Sequence, residues 1–200
     1  THDSIGVGED GKTHQPVEFN AIFRATPNVN FIRPADRFEA QIGLKTALNS
    51  SCPTILALTR QKVSNLANLT NSGAEKGAYS LCGDKAADVV IFASGSEVSL
   101  ALEVANNLLK KEVSARVISV PCVNLFEKQT KAYINDIMTK GAKLRVAIEA
   151  SNDNTWYKFV GLNGLVFGVN DFGFTATGEQ LFEHFGLTSK NIEKQILKNI

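Results

Sequence analysis

Residues 89–109 read VVIFASGSEVSLALEVANNLL, and this stretch decides the fold class. Five unbroken apolar residues, Val89 to Ala93, suit a strand buried on both faces. Ser94, Gly95 and Ser96 then turn the chain, with Ser96 in the capping position. Apolar residues at 98, 101, 102, 105, 108 and 109 follow at helical spacing. Strand, tight turn and helix form the repeating unit of α/β folds.

The same unit recurs on both sides. Downstream, residues 115–120 and 144–150 read as strands, 129–138 as a helix and the LVFGV segment as a last strand. GEQLFEHFG and TSKNIEKQILKNI read as two closing helices, the second capped by Ser189. Upstream, residues 16–25 predict a helix with Val17, Ala21, Ile22 and Ala25 on one face. Residues 29–33 predict a short strand stopped by Pro34. Asp36 then caps a helix carrying Phe38, Ile42, Leu44, Ala47 and Leu48. Residues 54–59, TILALT, predict a buried strand that delivers Arg60 and Gln61 at its end. Between them SNLANLTNSGAEKG, residues 64–77, is polar and glycine-punctuated, the pattern of a linker. The expected fold is therefore α/β, two three-layer αβα units with largely parallel sheets. The expected boundaries are 1–66, a linker at 67–77, and 78–200.

Composition narrows the function classes. The chain has 200 residues, 44% hydrophobic and 20% charged, with 21 Lys+Arg against 20 Asp+Glu for a net charge of +1. Such a chain supports a sizeable core and is too apolar for disorder. No basic block or basic-aromatic stripe is present, which argues against nucleic acid as a partner. The longest apolar runs fall short of a bilayer span and the first residues form no apolar signal core, so no membrane is expected and the location expected is cytoplasmic. Cys52, Cys82 and Cys122 are odd in number and widely spaced. They suit buried structural thiols rather than disulfides, a zinc knuckle or a nucleophile.

Two places meet the rule that ligands collect beyond the carboxyl ends of strands in open α/β sheets. One is Arg60. The other is the ASGSE turn, 93–97, readable as an anion-binding nest or as ordinary helix-cap chemistry. The opening segment, THDSIGVGEDGKTHQPVE at 1–18, is richer. Gly6, Gly8 and Gly11 let the backbone fold tightly enough for His2, Asp10 and His14 to converge. Two imidazoles and a carboxylate read a polyhydroxylated ligand, and an arginine from a nearby strand end forks onto a phosphate. That set suits a sugar phosphate. The residues by themselves leave a second reading open, a solvated polar loop whose histidines bond to backbone. A metal site on His2 and His14 lacks a third ligand at a recognisable spacing.

The same opening segment resembles the signature segment of the transketolase family. IRPAD at 32–36, LTRQ at 58–61, ASGSEVSLA at 93–101, VPCVNLFEKQ at 120–129, WYKFVGLNG at 156–164 and FEHFG at 182–186 resemble later segments of that family, in order. The family has a diphosphate-binding, a pyrimidine-binding and a C-terminal domain. This chain resembles the end of the second and all of the third, which implies that the first of its two αβα units is incomplete. The resemblance implies part of an enzyme of the pentose phosphate pathway that moves a two-carbon ketol unit from a ketose phosphate to an aldose phosphate. Its cofactors would be thiamine diphosphate and magnesium (or calcium), and its assembly a homodimer. No cofactor-binding or metal-binding residue is expected in this chain, nor the catalytic glutamate, so the chain by itself is expected to be inactive. By the same resemblance His2 and Arg60 hold the terminal phosphate, Asp10 bonds the α-hydroxyl of the acceptor, and His14 lies near the reacting carbon as a catalytic and substrate-binding group. The family commonly has proline where Lys12 and Thr177 stand. Alternatives are a non-enzymatic αβ interaction module, one member of a split complex, and the related dihydroxyacetone synthase.

Overall fold

A computed structural model describes residues 1–66 and 73–200, so residues 67–72 of the expected linker lie outside the described residues. The first unit runs α1 (Phe19–Ala25), β1 (Asn30–Ile32), α2 (Arg37–Asn49) and β2 (Thr54–Leu56). Its two strands pair in parallel, Phe31 opposite Ile55. The second unit runs β3 (Tyr79–Cys82), β4 (Val89–Ala93), α3 (Glu97–Leu109), β5 (Ala115–Ser119), α4 (Val123–Phe126) and α5 (Lys131–Met138). It continues through β6 (Leu144–Ile148), α6 (Tyr157–Val160), β7 (Leu165–Phe167), α7 (Gly178–His184) and α8 (Ser189–Leu197). Its sheet has the order β3-β5-β4-β6-β7. All neighbours are parallel except the edge strand β3, which runs antiparallel to β5.

Strand alternation sorts the core onto two faces. Val89, Ile91, Val146 and Ile148 face α3, α7 and α8, meeting Val98, Val104, Leu108, Leu181, Ile192 and Ile196. Val90, Phe92, Ile118 and Ala147 face the other way, onto Val123, Phe126, Ile137, Phe159 and Trp156. The second unit is thus three-layered, and the fold is mixed α/β as expected. Ile5, Val17 and Ala35 of the first unit join the same core as β4 and α3.

Local chemistry explains the ends of elements. Asp36 caps α2, accepting from Phe38 N at 2.9 Å and Glu39 N at 3.0 Å. Thr177 and Gln180 form a capping box at α7. Other expectations shift. Thr188, not Ser189, caps α8, and Ser189 Oγ donates to Glu103 at 2.6 Å instead. Ser96 makes no side-chain cap bond, because its hydroxyl donates to Glu97 at 2.7 Å. β2 is three residues long and half-buried, rather than a buried strand over 54–59. The turns at α1 and α2 face opposite to the apolar reading. Asn20 and Arg24 point inward while Ile22 is 51% exposed, and Glu39 and Gly43 point inward while Leu48 is 79% exposed. Of the three thiols only Cys122 is buried; Cys52 and Cys82 are half-buried. Among the described residues no helix is long and apolar enough to cross a membrane.

Candidate functional site

The opening segment folds as two single turns of 3-10 helix, Gly8–Asp10 and Lys12–His14. Gly11 between them has φ +75°, a left-handed conformation that costs a side chain strain, and a Cβ there would press on Thr175 Oγ1 at 2.7 Å. The reversal brings His14 back over His2, their rings 5.6 Å apart. Arg60 reaches the same place from the end of the β2 segment, its NH1 donating to His2 Nε2 at 3.0 Å. An Nε2 that accepts leaves the ring proton on Nδ1, which faces Thr1 Oγ1 at 2.8 Å. Asp10 Oδ2 lies 3.5 Å from His2 Nε2 and 3.8 Å from Arg60 NH1. All four sequence-predicted residues therefore converge.

The cluster is open to ligand. The Arg60 side chain is 52% exposed and Asp10 39%. A neighbouring cavity of about 310 Å³ is lined by His2, Lys12, Thr13, His14 and Phe19 among others. Its chemistry is a guanidinium with spare donors, two imidazoles and one carboxylate, a set that reads hydroxyls and an anion together.

The ASGSE turn holds something else. The guanidinium of Arg33, fully buried, lies across it, and a Cβ on Gly95, whose φ is +57°, would meet Arg33 at 2.7 Å. Arg33 donates to Ser94 O at 2.9 Å, to Glu97 Oε2 at 2.5 Å and, through Nε, to Asp3 Oδ2 at 2.8 Å. The turn is engaged within the protein rather than open as an anion nest: its oxygens hold an internal cation, and its Gly95 N–H donates to Arg33 O at 3.1 Å. Arg24 enters beside it, bidentate on Glu149 at 2.6 and 2.7 Å and bonded to Asp153 at 2.5 Å. Its guanidinium lies between the rings of Phe31 and Trp156. Ser94, Ser151 and Trp156 also donate to Glu149.

Burial works against every charge in this network, and pairing outweighs it at Arg24, Arg33 and Glu149 but not at Glu97. It would lower the pKa of Arg24 and Arg33, but the facing carboxylates outweigh it and raise both. It would raise Glu149, but Arg24 and then Arg33 hold that carboxyl well below the usual range. Glu97 is pushed up by burial against the pull of Arg33, in keeping with carboxylates that outnumber guanidinium groups here. Elsewhere burial pushes Glu39 up, although Ser119, Ala35 and Tyr79 donate to it.

Sequence reasoning found the four open residues and missed the buried ones. Arg24, Arg33, Glu97, Glu149 and Asp153 carry no local signal separating them from solvated charges. Glu9, also in the opening segment, is exposed. Among the described residues no cluster of three or more His, Cys, Asp or Glu is placed to hold a metal ion.

Comparison with known proteins agrees along the chain. Residues 1–65 match the family described as "Transketolase, pyrimidine binding domain", and residues 77–188 match "Transketolase-like TK C-terminal domain". The chain is 44% identical over 202 aligned residues to a transketolase of Staphylococcus aureus, covering 98% of this chain and 30% of that one. It is 41% identical to a transketolase of Aquifex aeolicus, covering 99% and 30%. A solved Pichia stipitis transketolase in complex with sedoheptulose 7-phosphate superposes with a TM-score of 0.93 at 38% identity, covering 99% of this chain and 29% of that one. The chain thus spans about 30% of the length of the curated relatives it matches. Two successive domain matches and a shared fold carry one conclusion: the chain belongs to the transketolase family.

Proposed function

We propose that this chain forms the substrate-facing part of a transketolase, gripping a sugar phosphate while a two-carbon ketol unit passes from a ketose phosphate to an aldose phosphate. The observation that supports it most is the meeting of Arg60 with His2, 58 positions apart, at 3.0 Å beside Asp10 and His14. A relative was solved with sedoheptulose 7-phosphate, a ligand of this class. Arg60 and His2 hold the terminal phosphate, the guanidinium forking two donors onto it. Asp10 accepts from the α-hydroxyl of the acceptor aldose and so favours one stereochemistry. His14 donates to the oxygen on the reacting carbon, where negative charge develops.

Thiamine diphosphate with a divalent metal supplies the carbanion chemistry when bound. The pyrimidine-binding domain match at residues 1–65 fits an enzyme that uses this group. By the family resemblance the catalytic glutamate and the metal ligands are not among this chain's residues, so the chain alone is expected to give no turnover with added thiamine diphosphate and magnesium. The domain reading is 1–66 for the end of the pyrimidine-binding domain and 78–200 for the C-terminal domain. The enzyme reads as a cytoplasmic homodimer of the pentose phosphate pathway.

The test is Arg60→Ala in the enzyme containing this chain, assayed on a phosphorylated and an unphosphorylated acceptor. Loss of one charge-assisted hydrogen bond weakens the phosphorylated acceptor by about 1.5–3 kcal/mol, mainly through KM, and leaves the other nearly unchanged. Equal losses on both would withdraw the phosphate assignment.

A further inference from the structure

The two halves of the open cluster come from distant segments, residues 1–14 and 60–61, and both rest on one turn of the second unit. On the first side, Asp3 follows His2 directly and is buried, with Arg33 Nε on its Oδ2 at 2.8 Å. Arg33 is held in turn by Ser94 O, Glu97 and, at 3.4 Å, Ser96 Oγ. On the second side, Gln61 follows Arg60 directly and donates through Nε2 to the same Ser96 Oγ at 3.3 Å. Gln61 also lies against Gly6 so closely that a Cβ there would stand 2.0 Å from its Nε2. Ser96 Oγ completes the set by donating to Glu97 at 2.7 Å.

Two features show that this arrangement is held against local cost. His2 has φ +62°, a left-handed backbone that disfavours a side chain with a Cβ. The buried Oδ1 of Asp3 finds no hydrogen-bond partner among the described residues. The buried Asp3–Arg33 pair lies beside both, and a charge-assisted hydrogen bond there works against such a cost.

We infer that the turn 94–97 of the C-terminal unit, acting through Arg33–Asp3 and Ser96–Gln61, is a bracket that sets the spacing of His2 and Arg60; Asp3, Arg33, Gln61 and Ser96 are positioning residues for ligand phosphate. The inference rests on the reading of His2 and Arg60 as a phosphate pair. It gives the C-terminal unit a part in substrate recognition through this turn, in addition to Phe172, which lines the neighbouring cavity, and Thr175, which lies against Gly11. A bidentate site loses affinity steeply when its two donors drift, because the second bond is then made at a poor angle or not at all.

The experiment titrates the enzyme containing this chain with ribose 5-phosphate, with ribose as the unphosphorylated control, following binding by isothermal titration calorimetry. Ser96→Ala is expected to weaken ribose 5-phosphate roughly three- to tenfold, as for one lost neutral hydrogen bond, and to leave the response to ribose and the melting temperature in place. Ser96→Thr, which keeps the hydroxyl, restores affinity, a rescue that a purely structural role for the turn does not produce. Asp3→Asn weakens the other strut by removing its charge and gives the same selective loss, so the test stands if one variant folds poorly. Wild-type affinity in both Ser96→Ala and Asp3→Asn, with affinity lost in Arg60→Ala, overturns the bracket and leaves the phosphate site standing. Wild-type affinity in Arg60→Ala, or no preference of the unaltered chain for ribose 5-phosphate over ribose, overturns the phosphate site and the bracket with it.

Discussion

Two arginine clusters lie close together in this molecule and behave as opposites. Around Arg24 and Arg33 the carboxylates are buried, and the guanidinium groups meet them at 2.5–2.8 Å. Around Arg60 the side chains are 27–52% exposed and the nearest carboxylate oxygen is 3.8 Å away. The same residue type thus serves two ends. A desolvated guanidinium paired with buried carboxylates joins two units, whereas a solvated one keeps donors to spare, as the proposed phosphate role of Arg60 requires. Burial alone does not mark a site; unused hydrogen-bonding capacity beside a cavity does.

The strongest way to break the comparison is to unpair the buried cluster. Glu149→Gln leaves Arg24 and Arg33 short of a negative partner, and a broken buried pair costs about 3–5 kcal/mol. Urea unfolding should show a loss in that range, and a change under about 1 kcal/mol would mean the network is as dispensable as surface pairs are. The pH dependence follows from the same carboxyl. Its pKa is depressed in the folded state, so its stabilisation is complete above the ordinary Glu value of about 4.3 and is lost as pH falls below it. Melting temperatures at pH 7 and pH 4 should therefore differ more in the unaltered chain than in Glu149→Gln.

Gly95→Ala attacks the same cluster sterically. It places a methyl 2.7 Å from the Arg33 guanidinium at φ +57°, and about 1–3 kcal/mol of destabilisation is expected in thermal unfolding. Thr177→Ala, outside the hydrogen bonds of both clusters, removes one capping hydroxyl and should cost about 1 kcal/mol, a scale against which the others are read. The smallest effect on folding belongs to Arg60→Ala, within about 0.5 kcal/mol, while its effect on phosphate affinity is large. Added salt sharpens the contrast: it should weaken ligand phosphate at the exposed Arg60 and leave the buried pairs unmoved. A destabilisation by Arg60→Ala as large as that by Glu149→Gln would erase the distinction.

Much of this was legible in the residues. The apolar run at 89–93, the helical spacing after it and the Asp36 cap each depend on neighbours within a few positions, so local rules place them. The convergence of His2, Asp10 and His14 is legible for the same reason, because the turns at Gly8 and Gly11 lie between them. The edge strand β3 was not, since YSLC is too short to show a period and its pairing partner, β5, lies 33 or more positions away. The inward faces of α1 and α2 were misread because apolar periodicity assumes that apolar atoms seek the interior. Here Arg24 and Glu39 find partners there instead.

The sequence by itself therefore determined the α/β alternation, the family and the residues of the open cluster, all carried by contiguous segments. Only the tertiary structure decided which arginine is buried and which is free. Arg24 meets Glu149 across 125 positions and Arg33 meets Glu97 across 64. Arg60 meets no carboxylate within 3.5 Å. The cost of desolvating a guanidinium is offset only by carboxylates arriving from another part of the fold, and no local pattern encodes that arrival.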